Sequence, residues 1–290
     1  MVRHLHDSGT DVLAFARRAT PWLPVTPTLA ELRGDALDAA LDGVDAVVHL
    51  AGADEVAAAA DPDGTTAATV AAARTVASAV QRAPGIRLVY VSTVHVYGAA
   101  ITDGAVITED TEAVPAAAYA AARLACEHVC EESGIDFVTL RLTNSVGAPP
   151  DPAVDRWSLV ANDLCRQAVT TDRVELRTHG LQWRDFIPLA DVMDAIARAA
   201  DPRQLSPGTY NLASGRPRTV RDLAGLVQDA AERRLGTRPA LLAPDGPPHA
   251  PAPYTVSIER LGAQGWKPEA SLPDAIDETL AFCLVHRDAR

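Results

Sequence analysis

Two rhythms of apolar positions run along the chain. Unbroken apolar runs at Asp45-Ala46-Val47-Val48-His49-Leu50-Ala51-Gly52 and Leu88-Val89-Tyr90-Val91 end in small or hydroxyl residues, the pattern of strands buried on both faces. Alanine-rich stretches without breakers, residues 66–81 and 119–133, predict long helices, the second closed by Gly134. Ahead of these, Met1 to Ser8 reads as the last turns of a helix with Gly9 after it, Asp11 to Arg18 as a strand, and Asp38 to Leu41 as a short helix closed by Gly43. Phe137 to Arg141 reads as a further strand, after which Pro149, Pro150 and Pro152 break the chain. Beyond them the pattern predicts a helix over Trp157–Val169, a short strand over Val174–Arg177, a helix from Ala190 to Ala199, a helix capped by Thr219 and a last helix over Leu272–Cys283. Such alternation reads as α/β, with residues 1–148 as a first unit and 149–290 as a smaller mixed one. There are no internal repeats.

Chemistry gathers at the end of the second apolar run. Ser92 and Thr93 are hydroxyl residues at a strand's carboxyl end, where open α/β sheets place ligands. Tyr119 stands four residues before Arg123 on a predicted helix, so a phenol and a cation share one helix face. A hydroxyl, a phenol and a cation make a candidate proton-transfer group.

Ser92-Thr93 with Val96-Tyr97-Gly98, followed by Tyr119-x-x-x-Arg123, resembles the extended short-chain dehydrogenase/reductase family in its nucleotide-sugar epimerase and dehydratase branch. The resemblance continues through His49-Leu50-Ala51-Gly52, Arg141-x-x-Asn144-x-x-Gly147, Gly180-x-x-x-Arg184-Asp185-Phe186, Tyr210-Asn211-Leu212 and Leu261-Gly262 with Gly265-Trp266, and so spans almost the whole chain. It implies a Rossmann-like doubly wound parallel sheet, with a smaller substrate-binding part from which segments such as 181–200 pack back on the first unit. It also implies catalytic places for Thr93 and Tyr119, with Arg123 where the family carries lysine. A cofactor would meet Leu50, Ala51 and Gly52 at a strand end and Asp35 with Ala36 near the adenine. Arg17 and Arg18, at the end of the second strand, lean toward the 2'-phosphate of NADP over NAD. Asn144 and Arg184 would meet the substrate's phosphates, a role that suits the guanidinium fork. The bland alternatives are solvated cations at Arg17 and Arg18, a plain buried strand at Leu50 to Gly52, and an ion pair of Arg184 with Asp185 or Asp191. The family's small-residue helices pair across a homodimer, so a homodimer is expected; the bland alternative is ordinary helix-on-sheet packing within one subunit. The family places an asparagine near Thr69, and it is missing here.

Composition narrows the partners. A formal charge of -12 over 290 residues argues against nucleic-acid or anionic-membrane surfaces, which need clustered basic residues. Lys267 is the only lysine among 26 basic residues, so an arginine in a lysine's place fits the bias of the chain. The four cysteines, Cys126, Cys130, Cys165 and Cys283, match neither a zinc spacing nor a redox pair, and no metal is expected. No apolar run has membrane-spanning length and Met1 to His6 has no signal-peptide core, from which a cytoplasmic protein is expected.

Tyrosine's free pKa is about 10, so a nearby cation must favour the phenolate if it is to act as a base near neutrality. Arg123 supplies the charge but cannot readily release a proton, which removes any relay through a lysine. Members of the family carry a first strand and a Gly-x-x-Gly-x-x-Gly turn ahead of the opening helix. These are not in the sequence, so either weak cofactor affinity or a mis-assigned start at Met1 is expected. Two functions stay open at this point. One is an NAD(P)-dependent epimerase, dehydratase or reductase of a nucleotide sugar, with a nucleotide-sugar substrate and NADP or NAD as cofactor. The other is a redox-inactive protein of the same fold acting as a binding or regulatory subunit.

Overall fold

The computed structural model describes the chain except residues 30–33, 155, 246–250 and 288–290, and except the side chains of 34–36. The two residues expected near the adenine therefore fall partly outside the description: Asp35 and Ala36 have a backbone in a helix, and their side chains lie outside the described residues.

The first part runs α1 (Val2–Asp7), β1 (Phe15–Ala16), β2 (Thr28–Leu29), α2 (Gly34–Ala40), β3 (Ala46–His49), α3 (Glu55–Ala60), α4 (Pro62–Arg82), β4 (Arg87–Thr93), β5 (Val106–Ile107), α5 (Ala118–Glu132), β6 (Phe137–Leu142) and β7 (Asn144–Val146). The chain continues through α6 (Val160–Thr171), β8 (Arg173–Glu175), β9 (Trp183–Pro188), α7 (Leu189–Ala199), β10 (Gly208–Leu212), β11 (Pro217–Thr219), α8 (Val220–Leu235), β12 (Ala240–Leu242), β13 (Thr255–Val256), α9 (Glu259–Ala263) and α10 (Leu272–Val285).

The central sheet has the order β10-β6-β4-β3 and every pair in it is parallel. Because side chains alternate across a strand, β4 sends Leu88 and Tyr90 into a core with α4 and α5, and Val89 into the opposite core with α7. Helices thus cover both faces, which is what a parallel sheet with two apolar faces requires. The alanine content of α4 and α5 lets the two helices lie close, with Ala73, Val76, Ala77 and Val80 buried against Cys126, Val129 and Cys130.

A smaller mixed sheet, β11-β9-β7, joins β7 and β9 in parallel and β9 and β11 antiparallel. Its core is built from α6, α8 and α10, with Leu164, Leu223, Val227 and Ile276 among the buried residues. Chain order and packing do not coincide: β10 joins the first sheet, and Val192 and Ile196 of α7 pack on its face.

Several bounds differ from the sequence reading. The strand expected over Asp11–Arg18 shortens to Phe15–Ala16, paired among the described residues with β2 alone; Leu13 is exposed, and Arg17 and Arg18 lie beyond the strand, also exposed. The helix expected from Trp157 begins at Val160, and the Trp157 ring packs against Phe282 and under the Arg166 guanidinium. All four cysteines are buried free thiols, and the described residues hold no cluster of metal-binding side chains. No helix among the described residues is long and apolar enough to cross a membrane.

Candidate active site

At the carboxyl end of β4 the strand turns into a single 3-10 turn, Val94–Tyr97. Thr93 is buried at its head, and its Oγ1 accepts from the His95 amide at 3.3 Å. That contact uses a lone pair and leaves the Thr93 hydroxyl proton for another partner. Gly98 closes the turn with φ +44, and a Cβ there would stand 2.0 Å from the Val114 carbonyl oxygen, so the sharp exit requires glycine. Tyr97 turns inward, its hydroxyl donating to Asn211 Oδ1 at 2.7 Å, so this tyrosine is structural.

Helix α5 brings the second phenol. Tyr119 lies in its first turn, and the Arg123 guanidinium sits 5.3 Å from the Tyr119 ring centroid. Thr93 and Tyr119 line one cleft of about 320 Å³ together with His95, Asn144, Glu55 and Arg156. A second depression, beside Asp38, Gly43 and Ile86, holds none of the sequence-predicted residues. Arg156, in the cleft lining, pairs through Nη1 with Asp54 Oδ2 at 3.0 Å, and Asp54 also caps α3 by accepting from Ala57 N.

Arg123 is buried behind Tyr119 and outside the cleft lining. Its Nη1 approaches the Val91 carbonyl at 3.5 Å, and a Cβ on Gly52 would stand 3.0 Å from its Cζ. A side chain on residue 52 would push the guanidinium by a few tenths of an ångström, so the turn and Arg123 are closely packed. Leu50, Ala51 and Gly52 are exposed just beyond the last β3–β4 pair, His49 with Tyr90, and none of the three is among the residues that line the cleft. The Ala53 amide is held by Thr69 Oγ1 at 3.2 Å, so the threonine found in place of the family's asparagine fastens this same turn. Exposed Ala51 and Gly52, with the Arg123 guanidinium close beneath Gly52, would let a dinucleotide approach the backbone at this turn.

Burial raises the Tyr119 pKa above the free value, and Glu55 adds to the rise; Arg123 and Arg156 pull the other way without overcoming it. The expectation that Arg123 lowers the phenol's pKa holds for its own contribution, and burial outweighs it. His95 is pushed down by burial and by Arg184, which favours a neutral imidazole at the cleft.

Of the phosphate candidates, Asn144 lines the cleft while its Nδ2 donates to the Asp185 carbonyl at 2.9 Å. Arg184 is outside the lining, beside His95 and Tyr254, with Nη1 donating to the Trp183 carbonyl at 2.8 Å. It forms no ion pair with Asp185 or Asp191. Asp185 is instead a buried hub accepting from Thr143 Oγ1, Ser214 N and Oγ and Arg216 N, and Asp191 receives the amides of Glu269 and Ala270. Arg17 and Arg18 do not line the cleft.

Sequence reasoning passed over Glu55, His95 and Arg156. His95 sits inside the motif that singled out Thr93, so its nearness was visible; Glu55 and Arg156 are brought in by folding from 38 residues upstream and 63 residues downstream of Thr93, and no local spacing marks them.

A sequence profile for the NAD dependent epimerase/dehydratase family matches residues 1–213. The chain is similar to dTDP-6-deoxy-L-talose 4-dehydrogenase (NAD(P)(+)) of Kitasatospora kifunensis, 30% identical over 285 residues, which are 93% of this chain and 87% of that one. It is similar as well to GDP-6-deoxy-D-mannose reductase of Pseudomonas aeruginosa, 29% identical over 227 residues, 74% of each chain. In fold it resembles the UDP-glucose 4-epimerase of Thermus thermophilus solved in complex with NAD, with a TM-score of 0.81 at 23% identity over 100% of this chain and 95% of the other.

Proposed function

The chain belongs to the NAD dependent epimerase/dehydratase family, and from that premise we propose that it interconverts a secondary alcohol and a ketone on a nucleotide-activated deoxysugar with NAD(P) as hydride partner. The observation that carries this reading is one cleft holding the Thr93 hydroxyl and the Tyr119 phenol, with the Arg123 guanidinium behind the phenol. The substrate class is supported by the names of two relatives, a 6-deoxy-talose dehydrogenase and a 6-deoxy-mannose reductase.

The bound nicotinamide supplies the hydride acceptor or donor. The exposed turn from Leu50 to Gly52 would hold that end of the dinucleotide, with the buried Arg123 charge beneath Gly52. For alcohol oxidation, Tyr119 must accept the hydroxyl proton as the hydride leaves the same carbon; for ketone reduction it returns that proton. Thr93, with its hydroxyl proton uncommitted, donates to the substrate oxygen and holds it against Tyr119. Asn144 in the cleft lining, and Arg184 beyond it beside His95, would meet the diphosphate; the Arg184 fork has no carboxylate partner among the described residues. Exposed Arg17 and Arg18 favour NADP. As in the family, the small-residue helices α4 and α5 pair with a second copy.

The test is a pair of measurements on the same preparations. NADPH or NADH binding is followed by thermal shift, and turnover by nicotinamide absorbance with dTDP-linked 6-deoxysugars and their 4-keto forms. Binding and turnover in the wild type, with turnover lost in Tyr119→Phe, support the reading. A folded sample that binds neither cofactor favours the redox-inactive alternative.

A further inference from the structure

Proton transfer uses Thr93 and Tyr119 and leaves the rest of the cleft wall without a task. Several of its other polar side chains have their donor hydrogens committed to the protein: Ser92 donates to Glu127, Thr143 to Asp185 Oδ1 at 2.8 Å, and Asn144 through Nδ2 to the Asp185 carbonyl at 2.9 Å. Leu159, Val160 and Phe186 offer the cleft only apolar surface. Two acidic or guanidinium side chains remain in the lining, Glu55 and Arg156. Arg156 is matched by Asp54, Nη1 to Oδ2 at 3.0 Å, whereas Glu55 forms no ion pair and accepts no hydrogen bond among the described residues. Glu55 is exposed, so its carboxylate is open to whatever enters. An uncommitted anion thus stands in the same cleft as the proton-transfer pair.

We propose that Glu55 is a specificity-determining residue: its carboxylate accepts hydrogen bonds from the hydroxyls of the sugar ring and keeps out a sugar that carries a carboxylate of its own. This rests on the nucleotide-sugar reading of the cleft. A carboxylate only accepts hydrogen bonds and a sugar ring presents hydroxyl donors, so the two are complementary. A uronate would bring a second anion beside the first, and like charges a few ångströms apart in a cleft walled by protein repel more than they do in water. The backbone that presents Glu55 is held in place. It is the first residue of α3, and Asp54 before it is tied both to Ala57 N at 2.9 Å and to Arg156. Helix α3 in turn packs against α5, the helix that carries Tyr119.

The neighbouring charges do not cancel this one. Arg156 is already matched by Asp54, Arg184 and Arg123 lie outside the lining, and His95 is held toward its neutral form by burial and by Arg184. The field of Glu55 reaches into the cleft, where it favours the protonated forms of both Tyr119 and His95.

The test is binding by the full chain, without turnover. dTDP-glucose and dTDP-glucuronate, which differ only in whether C6 carries a hydroxyl or a carboxylate, are titrated calorimetrically at fixed ionic strength, with dTDP alone as the reference for the nucleotide. The wild type is expected to hold dTDP-glucose at least about tenfold more tightly than dTDP-glucuronate. Glu55→Gln, which keeps the size and removes the charge, narrows that gap to within about twofold, and Glu55→Lys reverses it. Equal affinities in the wild type overturn the proposal, as does a gap of wild-type size in Glu55→Gln. A folded wild type that binds neither dTDP nor either sugar nucleotide takes away the nucleotide-sugar reading and this proposal with it. Equal affinities alongside a turnover that still depends on Tyr119 overturn the role of Glu55 alone. Should the gap behave as described while Tyr119→Phe turns over at the wild-type rate, the role of Glu55 stands and the reading of Tyr119 as acid/base is what fails.

Discussion

At the scale of single residues the site depends on a phenol that burial holds in its protonated form. Because burial raises the Tyr119 pKa, alcohol oxidation, which needs the phenolate, climbs with pH well past neutrality; ketone reduction, which needs the phenol, keeps its rate at neutral pH and declines only in the alkaline range. Initial rates in the two directions across the pH range check this. On the proposed mechanism, replacing Tyr119 by Phe lowers kcat by about 10²–10⁴-fold, with little change in thermal stability because the ring is retained. His49 gives a separate prediction about folding. Burial lowers its pKa to about 4, below its unfolded value of about 6.5, so the unfolded chain binds the proton first as pH falls. Stability is therefore complete above about 6.5 and declines between about 6.5 and about 4, by up to about 3 kcal/mol from this residue. Denaturant unfolding across that window measures it, and His49→Phe flattens the slope. The places of Thr93 and Tyr119 were legible because each lies in a short motif on a recognisable strand or helix. Glu55 and Arg156 were not, because only the closed fold brings them to the cleft.

At the scale of elements, a buried charge network fixes the helix that carries Tyr119 to the strand that carries Thr93. Glu127 of α5 accepts from Ser92 Oγ and from Arg141, which donates to Glu127 Oε2 through Nε at 3.0 Å and Nη2 at 2.7 Å. Arg141 also lies over the Tyr97 ring, 4.8 Å from its centroid. Glu127→Gln leaves the Arg141 charge buried without its partner and destabilises the fold by about 3–5 kcal/mol, read from chemical unfolding. Helix α8 carries a milder dependence: Thr219 and Asp222 form a reciprocal capping box, so Thr219→Ala costs about 1 kcal/mol in the same measurement. The helices were the most legible elements, since breaker-free alanine runs and a Thr219 cap announce them. The short strands β5, β11, β12 and β13 were not, because two or three residues carry no period; their pairing comes from partners distant in sequence, such as Val106 with Thr255. Asp185, two residues from the Trp183 of its motif, read as a possible ion-pair partner, and its role as a hydrogen-bond hub appeared only when the β10 turn brought Ser214 and Arg216 to it.

At the scale of the whole molecule, helices on both faces of a parallel sheet leave the strand carboxyl ends as the place where a ligand meets both parts of the chain. The chain's formal charge of -12 repels a phosphorylated ligand at long range, so local arginines must offset it. Replacing both Arg17 and Arg18 by Ala is expected to weaken NADPH binding about tenfold relative to NADH, measured by titration at fixed ionic strength. Binding and chemistry are separated most sharply in a single variant, Tyr119→Phe, given NADPH and a 4-keto 6-deoxysugar nucleotide. It is expected to bind NADPH as the wild type does and to oxidise it at least about 10²-fold more slowly. Oxidation at the wild-type rate would contradict the assignment of Tyr119 as the proton-transfer group.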